Sequence, residues 1–98
     1  MINKVEVENV NQPGQVTRVD GTKYHTMRAA LVGVLPRNAP GDTYDELISR
    51  VRARLDETHF PGGKTSGWWF KCVQLDLEAK GIMRRSQTKP LRWYAGDM

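Results

Sequence analysis

The stretch Gly67 to Arg85, "GWWFKCVQLDLEAKGIMRR", constrains the fold more than any other. Its spacing predicts a helix over residues 67–80, with Gly81 as a left-handed stop. At about 100° per residue, Trp69, Phe70, Val73 and Leu77 gather on one side. Trp68, Cys72, Leu75 and Ala79 gather on nearly the opposite side. Gly67, Lys71, Gln74 and Glu78 fill one gap between them, and Asp76 and Lys80 the other. A helix that is apolar on two sides needs two covers. One cover is the rest of a core. The other is the N-terminal segment, the segment after the helix, or a second copy of the chain. Left open, the Trp68–Leu75 side would be an aggregation risk on a small protein.

The remaining chain supplies candidates for both covers. Asp20 or Thr22 can cap a helix running through "KYHTMRAALVGVL", with Tyr24, Met27, Ala30, Leu31 and Val34 on one face and Pro36 ending it. Thr43, with Glu46 three residues on, forms a capping box for a second helix. Its apolar stripe is Tyr44, Leu47, Ile48, Val51 and Leu55, and Arg50, Arg52 and Arg54 point to solvent. Phe60 plugs the core before the turn at Pro61, Gly62 and Gly63, and Thr65 or Ser66 caps the third helix. After Gly81 the period shortens to two. "IMRRS" and "LRWY" predict a two-stranded hairpin turning near Thr88 to Pro90, with Met83 and Trp93 reaching the core. At the other end "KVEVENV" and "QVTRV" alternate around "NQPGQ", as a loose arm or a short hairpin would.

Three helices followed by a β-hairpin is the order of a winged helix. "GDTYDELISRV" resembles the second helix of that fold. Leu77, three residues, then Gly81, Ile82 and Met83, followed by Arg84 and Arg85, resemble the passage from its third helix into the wing. Over most of its length the chain also resembles a small group of uncharacterised bacterial proteins of this architecture. The resemblance implies a fold and brings no established activity with it. The expected organisation is a single α+β winged-helix domain over residues 20–94. An N-terminal arm or short hairpin over 1–19 precedes it, and a tail over 95–98 follows.

Charge narrows the function classes. A chain of 98 residues with 15 Lys and Arg against 11 Asp and Glu has a net charge of +4. Residues 81–94 concentrate Arg84, Arg85, Lys89 and Arg92 without an acid. In winged helices that bind DNA, the third helix enters the major groove and the wing touches phosphate. The resemblance therefore implies contacts from Lys64, Thr65, Ser66, Lys71 and Gln74 to bases or backbone. It implies phosphate contacts from Arg84, Arg85, Lys89 and Arg92. Double-stranded DNA is then the expected partner of a small regulatory protein. The alternative is a protein-interaction module, a homodimer or a docking domain, with Trp68, Cys72 and Leu75 at the contact.

Residues for chemistry are sparse. Cys72 is the only cysteine, so no intramolecular disulfide forms, and with two widely spaced histidines it falls short of a zinc set. "GGKTS" matches only the tail of a phosphate-binding loop and follows a helix rather than a strand. The pairs Asp45–Glu46 and Asp56–Glu57 sit at helix ends, where acids are common. No enzyme, cofactor or metal is expected. "MINKVEVENV" lacks the apolar stretch of a signal peptide and no apolar run matches a membrane span, so a cytoplasmic protein without a membrane partner is expected.

Overall fold

The computed structural model describes residues 4–96. The first three residues and the last two of the tail expected over 95–98 lie outside the described residues. The chain is a small α+β domain. Strands β1 (Lys4–Glu8) and β2 (Val16–Asp20) lead into α1 (Gly21–Val34). Strand β3 (Asp42–Thr43), α2 (Tyr44–Arg52) and α3 (Ser66–Ala79) follow, then β4 (Met83–Ser86) and β5 (Arg92–Ala95).

Local chemistry sets the helix ends. The Asp20 carboxylate accepts from the free amides of Thr22 (2.9 Å) and Lys23 (3.3 Å), which starts α1. Thr43 and Glu46 exchange side-chain and backbone bonds in the capping box that opens α2. Gly81, at φ 76°, turns the chain out of α3. The three helices share one core. Met27, Leu31, Leu47, Val51, Phe70 and Leu77 are fully buried in it, and Phe60 plugs it from the loop before α3.

The expected two-stranded wing is instead part of a three-stranded sheet. β4 and β5 pair antiparallel with Arg85 opposite Trp93, and β3 adds to the free edge of β5 in the order β3-β5-β4. Gly41 makes that approach possible. It sits at φ 86°, and a Cβ there would lie 1.9 Å from the Trp93 carbonyl oxygen. Two residues are too short to alternate, so β3 leaves no periodic trace in the sequence.

The N-terminal segment is a hairpin, with Lys4 opposite Asp20 and Glu8 opposite Val16. Its register puts Val5, Val7, Thr17 and Val19 on one face. Val7 and Val19 are buried in the shared core. The other face sets Lys4 opposite Asp20 and Glu6 opposite Arg18, charges of opposite sign.

One buried carboxylate joins this hairpin to the helices. Asp76 of α3 is 0% exposed. It accepts from the backbone N–H of Glu8 at 2.8 Å and from the phenol of Tyr24. Lys80 Nζ, one turn along α3, lies 2.8 and 2.9 Å from its two oxygens. Burial, then the bond to Asp76, raises the Tyr24 pKa above its ordinary 10.0. The folded state therefore holds that proton more tightly than the unfolded chain. The stability this gives is intact below pH 10 and is lost progressively as pH rises beyond it. Asp76→Ala leaves a buried phenol and a partly buried amide without an acceptor. It should lower unfolding free energy by about 2–4 kcal/mol in urea titrations. Asp76→Asn keeps one acceptor oxygen and should cost less.

Candidate functional site

The third helix and what covers it form the candidate site. Its start is fixed by an unusual turn. Pro61–Gly63 make a short 3-10 turn, and Gly62, Gly63 and Thr65 have φ of 62°, 75° and 62°. Thr65 does not cap the helix with its side chain. Its hydroxyl donates to the Lys64 carbonyl at 2.6 Å. Ser66, 1% exposed, donates to the Gly63 carbonyl at 2.6 Å and accepts from Arg52 Nε at 2.9 Å. That pair of bonds ties the loop and α2 to the start of α3.

Of the nine residues expected to read nucleic acid, five are exposed, two are buried, and Arg85 and Arg92 are half-buried. Lys64, Thr65, Lys71, Arg84 and Lys89 are exposed. Ser66 and Gln74 are each only 1% exposed, which corrects the expectation that they face a groove. Ser66 is held as described. Gln74 Nε2 donates to Glu78 Oε2 at 2.8 Å. Glu78 is held in turn from the strand pair after α3. Arg85 reaches back from β4 and grips Glu78 through Nε (3.0 Å) and a terminal nitrogen (3.1 Å). The Arg85 guanidinium also lies 5.7 Å from the Trp93 ring centre. Arg92 bonds the Gly41 carbonyl at 3.2 Å and lies 3.6 Å from Glu46. Arg85 and Arg92 thus face acids of their own chain.

The side of α3 that carries Trp68, Cys72 and Leu75 is different. The hairpin lies along it and leaves a cleft of about 220 Å³. Val7 and Val19 form one wall, and Trp68, Cys72 and Leu75 the other. Glu8, Lys71 and the amides of Asn9, Gln12 and Gln15 edge it. The three residues expected at a partner contact therefore come together here. The cover is partial, because Cys72 and Leu75 are half-buried while Trp68 is 60% exposed. Its indole packs edge-on against Trp69, with ring centres 5.0 Å apart.

Burial, and then the negative charge of Asp76, pushes the Cys72 thiol up to about 11. Among the described residues neither histidine bonds to it. His59 faces Asp56, with Nδ1 2.9 Å from Oδ1, and His25 lies edge-on to Tyr24. Among the described residues no group of three or more His, Cys, Asp or Glu side chains could hold a metal ion, and no helix is long and apolar enough to cross a membrane.

A family of unknown function matches residues 4–93. The chain belongs to the DUF6958 family. No curated protein and no solved structure matches the chain. The DUF6958 match opens on the first residue of β1 and closes within β5, so both walls of the cleft lie inside it. The resemblance to an uncharacterised family holds at that level.

Sequence reasoning missed Asp76. An acid between two leucines in "LDL", with Lys80 four residues on, was the available signal, since a buried charge needs partners. Its other partners are 68 and 52 residues away. For Cys72, thiol labelling at pH 8 should run on the order of a hundredfold slower than for a free cysteine of pKa about 8.5. Unfolding the chain in urea should restore the ordinary rate.

Proposed function

We propose that this DUF6958 chain is a winged-helix protein that works by binding another protein through the face of α3 beside the hairpin, without catalysing a reaction. Three helices followed by a strand pair in sequence order support the winged-helix reading. The observation that carries the binding reading is Trp68. A large aromatic side chain is 60% exposed at the edge of an apolar cleft. Exposed aromatics beside apolar recesses are the usual anchors of protein contacts. The side of α3 that a DNA groove would meet is, in contrast, occupied by internal bonds among Gln74, Glu78 and Arg85.

A DNA-binding, regulatory reading has its own support. Lys64 and Lys71 are exposed on α3 and the loop before it, Lys89 is exposed in the wing turn, and none has an ion-pair partner among the described residues. These are the contacts such a reading would use.

A photo-reactive amino acid placed at position 68 in producing cells distinguishes the two. The protein-binding reading predicts a discrete adduct that nuclease treatment leaves unchanged. A nuclease-sensitive adduct would contradict it, as would saturable binding of purified protein to duplex DNA that falls steeply with salt and weakens in Lys64→Ala and Lys71→Ala.

A further inference from the structure

We draw no further inference here: the strongest candidate, the cleft between the N-terminal hairpin and α3 beside Trp68, belongs to the site already described, and nothing in the structure shows what covers it.

Discussion

The rest of the structure depends on the buried carboxylate of Asp76. Removing such a group from water costs several kcal/mol, and each hydrogen bond to a charged acceptor returns about 1.5–3 kcal/mol. Asp76 has three donors, on β1, α1 and its own helix. With all three in place the balance is close, so the network adds little net stability. It adds position. The Glu8 amide must sit within hydrogen-bonding distance of α3, and that fixes the hairpin along the helix. Without this constraint the hairpin is joined to the helices mainly by Val7 and Val19, which are apolar contacts with little directional preference.

The Glu78 strip of α3 and the side that carries Trp68 are unlike. On the strip, Arg85 of β4 pairs with Glu78, and the buried Gln74 donates to the same carboxylate. On the Trp68 side the hairpin covers only in part, and Trp68 stays 60% exposed at the edge of the cleft. The fold therefore uses arginines of its basic end internally, and keeps an aromatic side chain outside. Charge counted along the sequence did not anticipate this. Arg85 and Arg92 contribute to the +4 of the chain, yet each faces an acid.

Much of the architecture is legible in the sequence because its signals are local. The capping box at Thr43 and Glu46, the stop at Gly81, the core face of Trp69, Phe70, Val73 and Leu77, and the core role of Phe60, Met83 and Trp93 all rest on spacings of a few residues. The second apolar stripe of α3 was legible too, and with it the need for a second cover. What spacing cannot convey is contact at long range. β3 forms because Gly41 lets Asp42 and Thr43 lie against Trp93 and Arg92, far along the chain. Gln74 looks like a solvent-facing position on a helical wheel, and is buried with its amide bonded to Glu78, which Arg85 also holds from β4. Asp76 reads as a surface acid until Tyr24 and Glu8 are brought to it.

Hydrogen exchange at a single amide, that of Glu8, reports on this anchoring directly. If the Asp76 carboxylate fixes the hairpin to the helix, the Glu8 amide exchanges as slowly as those of Val73 and Leu77 in the centre of α3. Exchange as fast as the turn amides of Asn11 and Gln12 would mean that the hairpin moves freely on α3, and neither the cleft nor the exposed position of Trp68 would then follow from Asp76.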